Sequence, residues 1–338
     1  MDIAVVIATN RERCMKEWLA EWEQDLRDAR VIVVEDSPRA SFGLDASGYI
    51  NLAHNSWADI EDDLGGKAWI IPRRTSAVKS YGFWKAYREG FDAIWTLDDD
   101  CYPEDHLRGR YLEEIGDRLG GDRAQDSWWN TLGNSGMHPR GYPYGIREFR
   151  RPVMIHHGLW SGVPDLDGIT ALDHPDWQVP EPWLHEVKTV PQGMFPMCGM
   201  NLAFRREMTP AMYFMLMGHG ADGNHWGFDR FDDIWAGLFA KRICDHLGYA
   251  VTSGSPSIRH TKESDPQERV RKEASGIEAH EKFWPLVAQA DLRGCWTVAE
   301  CYRELARSVH DVDQVLPKWE MYWDRLADAM RAWTELCA

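Results

Sequence analysis

Residues 94–100 read Ile-Trp-Thr-Leu-Asp-Asp-Asp, a short strand-like run that passes directly into three carboxylates. The first four residues suit a strand buried on both faces. Upstream, Ile3–Ala8 is a second run of this kind, and Val31–Val34 is a third that ends in the turn signal Glu35-Asp36-Ser37-Pro38. Ala68–Ile71 reads as one more strand. Between them, Met15, Trp18, Leu19, Trp22 and Leu26 recur at helical spacing, and Ser76–Tyr87 reads as a helix. Strand and helix in alternation predict an α/β fold with a mostly parallel central sheet. Such sheets bind ligands at the carboxyl ends of their strands. That places Thr9, Asn10, Arg11, Asp36 and Asp98–Asp100 on one rim.

The 338 residues carry 38 Lys plus Arg against 54 Asp plus Glu, a formal charge of −16. This balance argues against nucleic acid or an anionic membrane as a generic partner, and an anionic ligand must meet a local cation or a metal. The longest apolar stretches are too short to cross a bilayer, and the N-terminal residues lack the pattern of a secretory leader. A cytoplasmic location is expected. The seven cysteines are odd in number, widely spread and without a C-x-x-C, which suits free thiols.

The segment from about 127 to 192 is rich in Gly, Pro, His, Trp and Arg and has weak periodicity, which suits a lid or an ordinary packed subdomain. Residues 1–265 are read as the catalytic domain and 266–338 as a helical C-terminal extension. There Val312, Val315, Leu316, Trp319, Trp323, Leu326, Met330 and Trp333 form one helical stripe. It packs against the body or against a partner subunit, so a homo-oligomer is compatible with it.

Four constellations carry chemistry. Three adjacent carboxylates at a strand end repel one another, and a divalent cation relieves that; hard oxygen donors suit Mg²⁺ or Mn²⁺. Asp98 and Asp100 alternate along an extended chain and can face one site. A solvated acidic loop is the bland alternative. The second is Asp229, Asp232 and Asp233 in WGFDRFDDIWAG, carboxylates for catalysis or for helix capping. The third is His260, brought to the rim by an edge strand over Val251–Ile258, where an imidazole could complete a metal site with Asp98 and Asp100. The fourth is Arg140, Arg147, Arg150 and Arg151, whose forks match phosphate oxygens. Gly218-His219-Gly220-Ala221-Asp222-Gly223 fits G-x-G-x-x-G but follows no first strand of a βαβ unit, so neither a flavin nor an NAD site is expected.

The strings HGLW (157–160), FPMCGMNLAF (195–204), PAMYF (210–214), RFDDIWAG (230–237) and ICDHLG (243–248) resemble the reversibly glycosylated polypeptides, the UDP-arabinopyranose mutase family. RGYPYGIRE (140–148) and IWTLDDDC (94–101) share the likeness. It implies a GT-A-like, Rossmann-like nucleotide-sugar-binding fold, a divalent metal, and flavin-independent interconversion of pyranose and furanose sugars. A bacterial branch includes a GDP-L-galactose pyranose–furanose mutase of nucleoside-antibiotic biosynthesis, which this chain also resembles.

By the likeness, the aspartate triplet is the metal and diphosphate motif; with the edge-strand reading, Asp98, Asp100 and His260 are the expected metal ligands. The residues expected at the nucleotide are Thr9, Asn10, Arg11, Asp36, Arg74, Lys79, Asp98 and Asp99. Arg140, Arg147, Asp232 and Asp233 are catalytic, with Asp232 the expected proton carrier. The chain departs from the plant pattern at Thr75 and Lys79 in RRTSAVK and at VVEDSP (33–38), where the base and ribose are expected, so a GDP-sugar stands slightly ahead of UDP-arabinose. A glycosyltransferase on the same fold and a non-catalytic nucleotide-sugar-binding subunit fit the same residues.

Overall fold

In β1 (Ile3–Thr9) Ala4 through Ile7 are fully buried, and the alternation of the strand sends them to two different cores. A computed structural model of the chain describes residues 1–37, 41–124, 130–133, 136–145, 150–261 and 265–338. Ile3, Val5 and Ile7 face one apolar layer with α1 (Glu12–Leu26), whose Met15, Trp18, Leu19, Trp22 and Leu26 are all buried as their spacing predicts. Ala4 and Val6 face the other, together with residues that run as far as Cys337.

β1 pairs in parallel with β2 (Arg30–Glu35) and with β4 (Ala93–Asp98), while β2 pairs in parallel with β3 (Asn51–Asn55). Further along lie β5 (Cys101–Pro103), β6 (Asp122–Ala124), β7 (Arg150–Gly162), β8 (Val187–Thr189), β9 (Asn201–Arg205) and β10 (Ala250–His260). The sheet runs β3-β2-β1-β4-β9-β7-β10-β5, with β6 beside β7 and β8 beside β10. Along that path only β9 and β5 oppose the common direction, so the expected mostly parallel α/β sheet is present, mixed at its second half.

Three local expectations change. Ala68–Ile71 is not a strand: residues Gly65–Ile70 form a 3-10 turn after α2 (Trp57–Leu64). Gly65 has φ +50 and ends α2, and the neighbouring sheet position is already taken by β3. The sequence of β3, NLAHN, is half-exposed and polar, so it has no apolar signature. The strand at 250–260 is not an edge, because β7 flanks it on one side and β5 and β8 on the other. Third, the C-terminal stripe is broken at Pro317, which starts a short 3-10 turn before α10 (Glu320–Leu336).

The remaining helices are α3 (Lys79–Glu89), α4 (Tyr111–Gly120), α5 (Gly168–Asp173), α6 (Glu181–His185), α7 (Asp232–Leu247), α8 (Pro266–Gln289) and α9 (Val298–His310). The helical extension is there, and it packs on its own body. Trp323, Leu326, Met330 and Trp333 are fully buried in the core that includes Ala4 and Val6, and the Trp333 indole donates to Thr209 O at 3.0 Å. All seven cysteines are free thiols. Among the described residues no helix is long and apolar enough to cross a membrane.

Asn201 ties the middle of the sheet. It accepts from the Trp95 indole at 2.9 Å and donates to Leu159 O and Pro256 O at 3.0 Å, joining β4, β9, β7 and β10. Gly158 makes room for it: a Cβ there would lie 2.1 Å from Asn201 Nδ2. The amide is held by three hydrogen bonds and cannot step aside cheaply. Gly158→Ala is therefore expected to cost about 1–3 kcal/mol in urea unfolding; a change under 0.5 kcal/mol would show that Asn201 relaxes.

Candidate active site

The carboxyl ends of β1, β2 and β4 bring the aspartate triplet, Thr9, Asn10, Arg11 and Asp36 to one cavity of about 550 Å³. Its far wall comes from residues 163–167, from residues 229–234 at the start of α7, and from His260, Arg269, Lys272 and Glu273.

Asp99 is buried and pinned. Thr9 Oγ1 donates to it at 2.6 Å, and the Arg11 guanidinium grips it and also reaches Asp100 Oδ2 at 3.0 Å. Arg11 thus braces the acidic turn. Lys79, expected to touch nucleotide, does not reach the cavity. It is 1% exposed, lies beneath Asp98, and donates to that carboxylate and to Gly199 O at 2.9 Å. Helix α3 starts at this residue, so its side chain turns inward under the sheet rim. Lys79 is a positioning residue for Asp98, and its departure from the plant pattern says nothing about the base.

Asp36 accepts from the Trp57 indole at 2.9 Å and from Thr75 N at 3.0 Å; burial pushes its pKa up to about 6. Arg74 lines the cavity with φ +60, and Arg230 with φ +63. Left-handed backbone at bulky residues costs of order 1–2 kcal/mol each, and both residues stand at this cavity.

Asp232 and Asp233 occupy the first turn of α7, where the helix dipole favours negative charge. Phe231, not an aspartate, is the capping residue. Ser76 Oγ donates to Asp232 at 2.6 Å; Gly199 N and Ile234 N donate to Asp233, each at 2.8 Å. Burial first, then the charge of Asp232, pushes Asp233 up to about 8. Asp232 is raised as well, by burial. Two adjacent carboxyls of this kind, Asp232 buried and Asp233 half-buried, hold a proton at neutral pH and titrate as a pair. Asp229, at the rim, pairs with His225 at 2.9 Å.

Of the expected metal set, two members converge. His260 Nε2 lies 3.7 Å from Asp100 Oδ1, and its Nδ1 is 2.7 Å from Val163 O, so the Nδ1–H donates there and Nε2 faces the carboxylate. Burial, and then Asp98, raise the Asp100 pKa. Asp98 turns an oxygen to Lys79 instead. Among the described residues no three His, Cys, Asp or Glu side chains close on one point. The donor chemistry of Asp100 and His260 nevertheless fits a divalent cation that takes its other ligands from a diphosphate.

Arg140 is exposed in a turn and does not line the cavity, and Arg147 lies outside the described residues. The cavity cations that sequence reasoning missed are Arg230, Arg269 and Lys272, with Glu273, Asp165 and Ser76 beside them. Arg230 stands inside a string already singled out, RFDDIWAG; Arg269 and Lys272 lie in a charged helix with no motif. The rejected G-x-G-x-x-G is a turn: Gly218 has φ +61, His219 bridges to His225, and no helix follows directly.

Comparison with known proteins places these features in company. The family model described as "Reversibly glycosylated polypeptide" matches residues 1–338. "Probable UDP-arabinopyranose mutase 1" of Pisum sativum is 35% identical over 343 aligned residues, covering 99% of this chain and 90% of that protein. "UDP-arabinopyranose mutase 1" of Arabidopsis thaliana is 35% identical, covering 99% and 91%. A solved mycobacterial protein aligns with 82% of this chain and 74% of its own at 12% identity and a TM-score of 0.43, too loose a likeness to carry an argument.

Proposed function

The chain belongs to the reversibly glycosylated polypeptide family, whose named relatives here are UDP-arabinopyranose mutases, and on that premise we propose that it interconverts pyranose and furanose forms of a nucleotide-diphosphate sugar without flavin. The observation that carries the reading is the Asp232–Asp233 pair, Asp232 buried and Asp233 half-buried, which opens onto the same cavity as Asp98–Asp100 and His260. UDP-arabinopyranose is the first substrate to try, because the relatives are named for it; a GDP-hexose such as GDP-L-galactose is the second.

Ring contraction exchanges the oxygen bonded to C1. The C1–O bond to the diphosphate breaks, and the diphosphate leaves with the electron pair. Asp98, braced by Lys79, and the Asp232–Asp233 pair surround the resulting oxocarbenium with negative charge. The 4-hydroxyl adds to C1 and gives its proton to the carboxyl pair. The bond from C1 to the old ring oxygen then opens, and that oxygen takes a proton back, so the pair ends as it began. The diphosphate recaptures C1. A divalent ion held by Asp100 and His260 would supply Lewis-acid charge to the diphosphate. Thr9 and Arg11 keep the triplet in register, and Asp36 and Arg74, which line the same cavity, are assigned to the nucleoside in this reading.

Purified protein with Mn²⁺ and a panel of UDP- and GDP-sugars, in both ring forms and without acceptor or flavin, is expected to yield an isomer of unchanged mass. NMR of the anomeric carbon reads it. Sugar released or transferred only when an acceptor is added would replace the mutase with a glycosyltransferase.

A further inference from the structure

Of the five Arg and Lys side chains that line this cavity, three are spent on carboxylates and a fourth, Arg74, is exposed to solvent. Arg11 is taken by Asp99 and Asp100, Arg230 by Glu273 at 2.9 Å, and Lys272 by Glu268 at 2.7 Å. Arg269, in the first turn of α8, differs. It is 6% exposed, its Nη1 donates to Leu166 O at 3.0 Å, and its Nε is buried with no hydrogen-bond partner. No carboxylate among the described residues pairs with it. One turn on, Glu273 has both oxygens engaged: Oε1 by Arg230 and Oε2 by Gly168 N at 2.7 Å.

A buried charge without a counter-charge is costly, and in a protein of net charge −16 a carboxylate partner would be easy to supply. The guanidinium also stands where a ligand passes. Together with His260, Val163, Pro164 and Leu166, Arg269 lines both the main cavity and a neighbouring chamber of similar volume.

We infer that Arg269 is the anion-binding residue of the site, and that its missing partner is the diphosphate of the substrate. The assignment rests on the nucleotide-sugar reading of the cavity. It gives Arg269 the role that the sequence suggested for Arg140 and Arg147. A guanidinium fork matches two phosphate oxygens, and its hold strengthens as the breaking C1–O bond adds charge to the diphosphate. A positive charge already fixed in place needs no rearrangement at that moment.

Calorimetric titration of the full-length protein with inorganic pyrophosphate, UDP and uridine, in Mg²⁺ buffer, tests this. Arg269→Met is expected to weaken pyrophosphate and UDP by about 10–100-fold and to leave uridine unchanged. Arg269→Lys keeps the charge without the fork and falls between. Arg271→Met, the same charge change on the exposed face of α8, stays within twofold of wild type. The ligand-free melting temperature of Arg269→Met is expected to hold or rise, since an uncompensated buried charge is gone.

Pyrophosphate affinity within twofold of wild type in Arg269→Met, or no pyrophosphate binding by the wild type, would overturn the assignment. So would a lowered melting temperature with pyrophosphate affinity intact, which marks a structural role through Leu166. Arg269-dependent pyrophosphate binding in a protein that isomerises no nucleotide sugar would leave this assignment standing and defeat the mutase. Isomerisation that survives Arg269→Met undiminished would do the reverse.

Discussion

Asp98→Ala is expected to lower the unfolding free energy by about 3–5 kcal/mol, toward the lower figure, as well as to stop turnover. The stability loss does not come from the aspartate's own contacts with solvent-facing atoms. It comes from Lys79, which is 1% exposed and would be left with an ammonium beneath the sheet rim, Gly199 O as its remaining hydrogen-bond partner and the Asp232–Asp233 pair as its nearby charge. The estimate sits at the low end because the Asp98 side chain is 38% exposed, so part of the pair is already solvated. Adding Lys79→Met should return most of the stability, because no charge is then stranded. It should not return turnover, because the cavity still lacks the carboxylate that faces C1. Urea unfolding and the isomerisation assay on the two variants separate the effects. A double variant no more stable than Asp98→Ala would mean that Lys79 sheds its proton or finds water, and that the pair is not a stability device.

Asp233→Asn should reduce turnover by about 10²–10⁴-fold, the usual worth of a positioned proton carrier. It should also change how stability depends on pH. An acid whose pKa rises from 3.8 to about 8 on folding keeps its proton in the folded state while the unfolded chain has lost it. Stability therefore falls as pH climbs from about 4 to about 8, then levels off. Asp36, raised to about 6, adds slope of the same sign that ends near pH 6.

His156 and His157 act oppositely. Both are buried neutral, with pKa values lowered from 6.5 to about 3 and about 4, so stability is lost as pH drops below 6.5. Between pH 6.5 and 8 those histidines and Asp36 are silent. The decline of the melting temperature in that window belongs mainly to the Asp232–Asp233 pair, and Asp233→Asn should flatten it. A variant with the wild-type slope between pH 6.5 and 8 would show that the pair is already ionised at neutral pH and cannot hold the proton assigned to it.

Apolar periodicity made β1, β2, β4 and α1 legible, because residues such as Val5 and Leu19 have no role except burial. Where burial is carried by other residue types the pattern disappears. β3 is NLAHN, and β7 holds His156, His157 and Gly158 in its middle, so neither announces itself as a strand. The rim was readable because strand ends are the places where chain direction puts Thr9, Asp36 and Asp98–Asp100 together. Lys79 was misread because a lysine near a rim is ordinarily a solvated cation, and its burial under Asp98 is a fact of packing. Arg269 was invisible for a related reason. Its importance lies in the partner it lacks, which depends on Glu273 being claimed by Arg230 and Gly168, three segments far apart in the chain.

One core runs from Ala4 on the first strand to Cys337 near the last described turn, and α8 within it also walls the active site. This has a consequence for how such a chain can vary over generations. A genetic crossover at the start of α8 would join two halves of a packing problem solved separately, with Gly276 and the Phe231 ring 2.2 Å from its would-be Cβ on opposite sides of the join. The halves carry the anion-binding helix and the carboxylate pair respectively, so a recombinant would lose fit and chemistry together. Descent of the sequence as a single unit is the outcome this architecture favours, and the relatives match it through both parts.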